Sequence, residues 1–295
     1  MPTILVCGSA VLDFVFRMDR MPERAEKYRA EAAEIVGGGC AANAAVAIAH
    51  LGGTAHLIGR RGEDVVGRMI TADLKMEGVD TRLFRAFPGG RSAFSSIYLD
   101  AAGERQIMAF RGSGLPSDAA WIAEAPVAAA ALTDTRWPEG AAALMALARA
   151  RSIPAVLDGE AGDDADPALE AASHIVFSRQ GLRAYAGTDD IGAGLIAARA
   201  RYGGWVAVTD GGAGVFYLAD GVQHVPAFPV EAVDTLGAGD VWHGAFTLAL
   251  AEGRDEGQAI RFASATAALK CTRPGGRLGT PKRAEVEAFL GVTTP

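Results

Sequence analysis

Cysteine is scarce in this chain: Cys7, Cys40 and Cys271 are the only three in 295 residues. They form no CxxC pair and no even-numbered framework, which excludes a disulfide scaffold and points to a reducing compartment. Each reads as a small buried residue rather than a nucleophile. HExxH and other metal-ligand spacings are missing, and so is GxxxxGK, which excludes a P-loop. There is no basic surplus either. The 28 Lys and Arg stand against 35 Asp and Glu, a formal charge of -7 that argues against a nucleic-acid partner. The local clusters Arg60-Arg61 and Arg273 to Arg277 are expected in solvated loops or small-anion contacts. No uninterrupted apolar run reaches membrane-spanning length. The apolar start, Ile4 to Val11, has no basic leader and meets Asp13 early, so no signal peptide is expected. We expect a soluble, cytoplasmic protein without a membrane partner.

What is present is a large apolar fraction, 50% of the chain, enough for a sizeable core. The most informative stretch is Asp234-Thr235-Leu236-Gly237-Ala238-Gly239-Asp240, which runs directly into the apolar segment Val241 to Ala251. Small residues permit a tight turn, and the first turn of the helix that follows leaves amides without intrahelical partners. The helix dipole adds partial positive charge, so an anion is stabilised there. Asp240 at the mouth repels a bound phosphate but suits a base that deprotonates an attacking hydroxyl. From spacing alone, a helix cap with turn glycines explains the same residues equally well.

DTLGAGD followed by a helix containing Gly244 resembles the signature of the ribokinase-like (PfkB) carbohydrate kinases, and it lies near the C-terminal end, as it does in that family. The resemblance implies that Asp240 is the catalytic base and that the amides of Gly237, Ala238 and Gly239 form the anion hole.

Thr3 to Cys7 reads as a buried strand, and Asp13 follows in the loop beyond it, where open α/β sheets bind ligands. In the family an Asp in the matching place bonds sugar hydroxyls. Phe14 to Val36 and Arg91 to Phe110 fit a small exposed sheet, the second as a hairpin turning at Asp100 to Gly103. The family places a lid here that covers the sugar and often dimerises, which makes a homodimer through the lid the expected partner. Gly37, Gly39 and Ala42 satisfy GxGxxA, a weak dinucleotide match because no convincing core strand precedes it. In the family, the GG…N pattern makes Gly38, Gly39 and Asn43 sugar contacts. Gly59, Gly62 and Asp64 resemble a GxxGxD segment in which a helix cap accounts for the Asp.

From Val127 onward apolar strands alternate with helical stretches, which implies βαβ units and a parallel sheet covered on both faces. The polar residues at the strand ends are Asp134, Arg136, Asp158, Glu160 and Asp210. Thr209 to Gly214 resembles the family's nucleotide loop, so Thr209, Gly211 and Gly214 are implied ATP contacts, and Ser264 falls where the family meets adenine. The region around Asp234 is implied to bind a monovalent cation, K+, through carbonyls. His243, one helical turn past Asp240, is explained as well by packing as by the site.

One departure stands out. The family's NxxE motif, which helps place Mg2+, is here Ser178-Arg179-Gln180-Gly181. Together with the stretches around Arg136, Asp158 and Lys270 to Arg277, this is more similar to bacterial sulfofructose kinases. That subgroup holds a sulfonate with basic residues, and Lys27, Arg105 and Arg136 are the implied substrate contacts. A polar lid residue expected there is Ala109, and Arg111, two residues on along a strand, is a substitute.

The expected fold is α/β, a doubly wound mainly parallel sheet with a small β lid. Residues 1–13, 37–88 and 112–295 form the core, and 14–36 and 89–111 the lid. The expected function is ATP- and Mg2+-dependent phosphorylation of a primary hydroxyl of a ketohexose, an anionic one such as 6-deoxy-6-sulfofructose. Fructose, ribose, 2-keto-3-deoxygluconate and a nucleoside are the rival substrates. From other classes, the rivals are an NAD-dependent oxidoreductase and a non-catalytic sugar sensor.

Overall fold

The computed structural model describes residues 1–102, 104–160 and 166–291. Gly103 of the expected hairpin turn, and the last residues of the expected core, lie outside the described residues. The strands in chain order are β1 Thr3–Cys7, β2 Val11–Arg17, β3 Ala32–Gly38, β4 Thr54–Gly62, β5 Phe84–Phe87, β6 Phe94–Leu99 and β7 Arg105–Phe110, then β8 Ala130–Thr133, β9 Ala155–Gly159, β10 His174–Ser178, β11 Trp205–Thr209, β12 Val215–Leu218 and β13 Val222–Val225. The helices are α1 Cys40–His50, α2 Val65–Met76, α3 Pro138–Ala150, α4 Asp166–Ala171, α5 Arg179–Ala186, α6 Ile191–Tyr202, α7 Ala238–Ala251, α8 Glu256–Cys271 and α9 Arg283–Phe289.

The large sheet has the order β13-β12-β11-β10-β9-β8-β1-β4-β5. It is parallel from β5 to β11 and antiparallel at β12 and β13. The expected α/β fold with its mainly parallel sheet is therefore present. Side chains alternate along β1: Ile4 and Val6 join one apolar cluster with α1, α7 and α8, while Leu5 and Cys7 join another with α3 and α6. This period of two places core on both faces. β1 lies between β4 and β8, so the chain winds outward from it in both directions. The carboxyl ends of strands at such a switch point form a crevice, which fixes where a ligand can enter.

The small sheet, β3-β2-β6-β7, is mixed: β2 pairs antiparallel with β3 and parallel with β6, and β6 pairs antiparallel with β7. Asp13 lies within β2 rather than in a loop, opposite Ser95 of β6. The strand expected from Val127 begins only at Ala130, although Ala129 N–H already donates to the Thr3 carbonyl at 2.8 Å, and Val127 itself is 87% exposed.

α7 is apolar on every side, and residues Val241 to Leu250 are buried. Its neighbour α1 is tightly placed: a Cβ at Gly244 would lie 2.5 Å from the Ala44 carbonyl oxygen. Only glycine permits that approach. In the first turn of α7 the contact with α1 is polar, Asn43 Nδ2 donating to Asp240 Oδ2 at 2.7 Å.

Candidate active site

Gly237 opens α7 with φ of 74°, the left-handed region that favours glycine, and no side chain caps the helix. Ala238 N–H donates to the Thr235 carbonyl at 3.2 Å, so one of the three amides expected in the anion hole is already taken. Among the described residues, the N–H groups of Gly237 and Gly239 have no partner. They are the open donors at the positive end of a 14-residue helix.

Asp240 stands in that same turn. Its Oδ2 accepts from Asn43 Nδ2 at 2.7 Å, and its carboxylate, the Asp158 carboxylate and the Cys40 thiol have ligand atoms within 4.8 Å of one another. Burial raises its pKa above the ordinary carboxylate value, with Asn43, His243 and Cys40 opposing. Asp158, at the end of β9, is 7% exposed, and burial pushes its pKa up to about 7, opposed by His243 and reinforced by Asp240 and Glu160. His243 does not turn toward Asp240. Its Nδ1 meets the Gly239 carbonyl at 2.8 Å, and its Nε2 lies 3.3 Å from the Val176 carbonyl and 3.5 Å from Asp158 Oδ1.

The expected sugar contacts Asp13, Gly38, Gly39 and Asn43 form one continuous patch leading to Asp240. A side chain at Gly38 would collide with the Asp13 carboxylate, and one at Gly237 would meet Asn43 Nδ2 at 3.3 Å. Asp13 bonds to Ser95 Oγ. Burial raises its pKa, while Ser95 and Arg277 pull it back. Of the Arg273 to Arg277 cluster, expected in solvated loops or small-anion contacts, Arg277 is instead 2% exposed and ion-paired with Asp73.

A cavity of about 430 Å³ occupies the crevice. Gly8, Gly39, Cys40, Arg60, Ala109, Arg111, Arg136 and Trp137 are among its lining residues, and the Cys40 thiol lies within 4.8 Å of the Asp240 carboxylate. Arg60 is half-buried, 4.4 Å over the Trp137 ring, with Nη1 donating to the Pro116 carbonyl at 2.6 Å. Arg136 is ion-paired with Glu160. Lys27 and Arg105 are not brought to this cavity: Lys27 is exposed between β2 and β3, and Arg105 is exposed at the end of β7 remote from Ala109.

The nucleotide candidates follow β11. Thr209 Oγ1 donates to the Phe177 carbonyl at 3.4 Å, and Gly211 to Ala213 form a short 3-10 turn that ends at Gly214. Ser264 is only 9% exposed and lies between α7 and α8, where its Oγ accepts from Trp242 Nε1 at 3.1 Å.

Sequence reasoning named Asp134 as a strand-end polar residue and Arg60 in a cluster for solvated loops or small-anion contacts, but gave neither a place in the site, and it gave Lys270 no role. Asp134 Oδ2 accepts from Ser9 N–H, Ser9 Oγ and Ala41 N–H, and Ser9 in turn bonds Cys40 N–H and Ala42 N–H. The amides at the start of α1 are thus consumed by protein, and the preceding strand β3 belongs to the small sheet. Both facts remove the GxGxxA stretch as a dinucleotide site. Arg60 near the end of β4 was legible from the strand-end rule. Lys270 has a weaker signal, since it continues the buried spacing Ala259, Phe262, Ala263, Thr266 of α8.

Two metals need testing against these residues. Asp158 and Glu160 offer hard carboxylate oxygens suited to Mg2+ or its water shell. Ser178 does not, since its Oγ caps α5 by accepting from Gly181 N–H at 2.9 Å. For a monovalent ion at Asp234 the fit fails. Lys270 Nζ donates to the Asp234 carbonyl at 2.7 Å and lies 3.7 Å from its Oδ1.

A carboxylate beside open amide donors suits transfer of an anionic group to a hydroxyl. On a doubly wound sheet this defines an α/β transferase. A model of the pfkB family of carbohydrate kinases matches residues 1–283. Ribokinase of Bacillus subtilis (strain 168) is 31% identical over 98% of this chain and 100% of its own length. A fructokinase of Klebsiella pneumoniae is 32% identical over 86% and 91%, and an ATP-dependent ribose-1-phosphate kinase of Halopiger xanaduensis is 31% identical over 98% of each. A crystal structure from Agrobacterium tumefaciens, provisionally described as a ribokinase, superposes with a TM-score of 0.89 at 38% identity over 98% of each chain. Arabidopsis thaliana ribokinase with ribose and ATP has a TM-score of 0.88 at 24% identity over 98% of each chain, which speaks to the fold. The chain belongs to the pfkB family of carbohydrate kinases. No helix among the described residues is long and apolar enough to cross a membrane.

Proposed function

We propose that this carbohydrate kinase uses ATP to phosphorylate a primary hydroxyl of a ketohexose whose far end carries an anion, such as 6-deoxy-6-sulfofructose. The observation that carries the phosphoryl transfer is the pair of open amides at Gly237 and Gly239 beside Asp240. The sugar is held by Asp13, Gly39 and Asn43, and Asp240 takes the proton from its hydroxyl as that oxygen bonds to the γ-phosphorus and the bond from that phosphorus to the β–γ bridging oxygen breaks, releasing ADP. The two amides and the α7 dipole stabilise the charge that develops. ATP lies along Thr209 to Gly214. Asp158 and Glu160 would hold Mg2+ directly or through its water shell, and the ion would supply positive charge against the nucleotide phosphates.

The anionic end is supported by the wall of Arg60, Arg111 and Arg136 in the cavity, about the polarity a sulfonate, carboxylate or phosphate requires. Ala109 leaves room in that wall, and Arg111 supplies the charge. The small sheet acts as a lid that excludes water, a competing acceptor. The exposed row of Ile35 on β3 and Met108 on β7 supports pairing of two lids in a homodimer, which sedimentation velocity finding only monomer would remove.

The test is ADP release with Mg-ATP across sulfofructose, fructose, fructose phosphate, ribose, 2-keto-3-deoxygluconate and adenosine. Preference for an anionic sugar, reduced about 10-fold or more by Arg60→Met, is expected. A neutral sugar preferred with Arg60→Met unchanged returns the arginines to a structural role.

A further inference from the structure

Lys270, in the last turn of α8, is 0% exposed. An ammonium withdrawn from water is strongly destabilising unless charged and polar partners replace its hydration. Its partners converge on one residue, Asp234, through the carbonyl at 2.7 Å and the carboxylate at 3.7 Å. The carboxyl end of the α8 dipole favours a cation at the same place.

Asp234 is itself held on every side. Its Oδ1 accepts from Leu236 N–H at 2.8 Å and its Oδ2 from Gly276 N–H at 2.8 Å, while the amides of Val233 and Asp234 both donate to the Cys271 carbonyl. Three residues later Gly237 begins the anion hole. The Asp234 carbonyl, which Lys270 grips, is therefore the fixed end of the turn that aims the Gly237 and Gly239 amides. Asp240 also attracts the Lys270 charge, so the ammonium is within electrostatic reach of the reacting centre.

We propose that Lys270 is a positioning residue for phosphoryl transfer: a cation tethered to the chain that holds the Asp234 turn, so that catalysis needs no monovalent metal ion. This rests on the kinase reading of Asp240. A second monocation on the Asp234 carbonyl would stand against the ammonium, a like-charge contact in a closed site. Geometry at the amides matters because displacing a catalytic donor by about 1 Å costs on the order of 100-fold in rate.

The experiment measures ADP release with Mg-ATP and the sugar that turns over fastest. The only monovalent cation is first tetramethylammonium, and then Na+, K+, NH4+ or methylammonium is added. The native enzyme should change by less than about 2-fold across these ions, and Lys270→Met should lose about 10-fold or more in kcat with little change in sugar KM. Added NH4+ or K+ should restore part of that loss, and Lys270→Arg should retain more activity than Lys270→Met. Circular dichroism melts accompany each variant. If Lys270→Met does not fold, the ion profile of the native enzyme and the rate of Lys270→Arg decide. Several-fold activation of the native enzyme by K+, an unchanged kcat in folded Lys270→Met, or a loss that no cation alters overturns the proposal. A native enzyme active but K+-dependent leaves the kinase reading intact, whereas silence of the native enzyme on every sugar overturns both.

Discussion

In the large sheet β8 and β9 are buried at every position, whereas in the small sheet the edge strands are open, with Ala32 to Ile35 of β3 and Arg105 to Ala109 of β7 exposed. The difference separates two kinds of site residue. Asp240, Asp158 and the open amides grow from strand ends and a helix enclosed by packing on all sides. Asp13 and Ser95 grow from a thin sheet with free edges, and Ala109 lies on one of those edges. A closed region holds groups to fractions of an ångström, as reacting atoms require, while an open one can shift to admit and cover a ligand. Replacements in the first should lower kcat, and replacements in the second should raise KM.

The largest effect is expected at Asp240. Asp240→Asn keeps the volume and the Asn43 contact but cannot accept the proton, so kcat should fall about 10²- to 10⁴-fold with ATP affinity retained. Since burial raises the Asp240 pKa, protonation as pH falls should disable the native enzyme above the ordinary carboxylate range. Single-turnover rates and isothermal titration with ATP check both halves, and an undiminished rate removes Asp240 from the role of base.

A smaller effect is expected at Asp13 in the open sheet. Hydrogen bonds to a charged acceptor are worth about 1.5–3 kcal/mol, so Asp13→Ala should raise the sugar KM roughly 10- to 100-fold and change kcat only a few-fold. Steady-state kinetics on the preferred sugar give the split. If kcat drops as far as in Asp240→Asn, the two sheets are not distinct in function and the comparison breaks.

How far this arrangement can be read from sequence depends on the range of the interactions. The turn Asp234 to Asp240 is local, so its chemistry is visible in seven consecutive residues. The parallel sheet is visible too, since strands buried on both faces become apolar runs such as Ile4 to Cys7. α5 was hidden because Arg179, Gln180 and Arg183 make it polar, and only Gly181 and Leu182 are buried. The hairpin of β12 and β13 lies at the edge of the sheet, where burial imposes little pattern. Lys270 was hidden for a different reason. Its partner is 36 residues earlier, and nothing in an alanine-rich helix announces which carbonyl a lysine will meet. Ser264 shows the converse, because a matching position in a motif did not reveal that Trp242 would cover its hydroxyl.

The smallest effect concerns the stability of the closed region. Asp158 is buried in β9 with its pKa raised from 3.8 to about 7. Below the unfolded value both states hold the proton, and nothing is lost. As pH rises from about 4 to 7 the unfolded chain releases the proton first, so folding stability declines through this window, and above it the penalty is complete. The full shift corresponds to roughly 4 kcal/mol, from which an asparagine amide left with imperfect partners subtracts about 1–3. Asp158→Asn should therefore gain about 1–3 kcal/mol at pH 8, a few degrees in Tm, and at pH 4, where the charge-burial cost is almost gone, should instead lose about as much as the amide subtracts. Thermal melts at the two pH values test this. A loss at pH 8 would mean that the contact with His243 at 3.5 Å outweighs the cost of burying the charge. A gain confined to pH 8 would mean that the closed sheet tolerates a destabilising carboxylate because the chemistry beside it requires one.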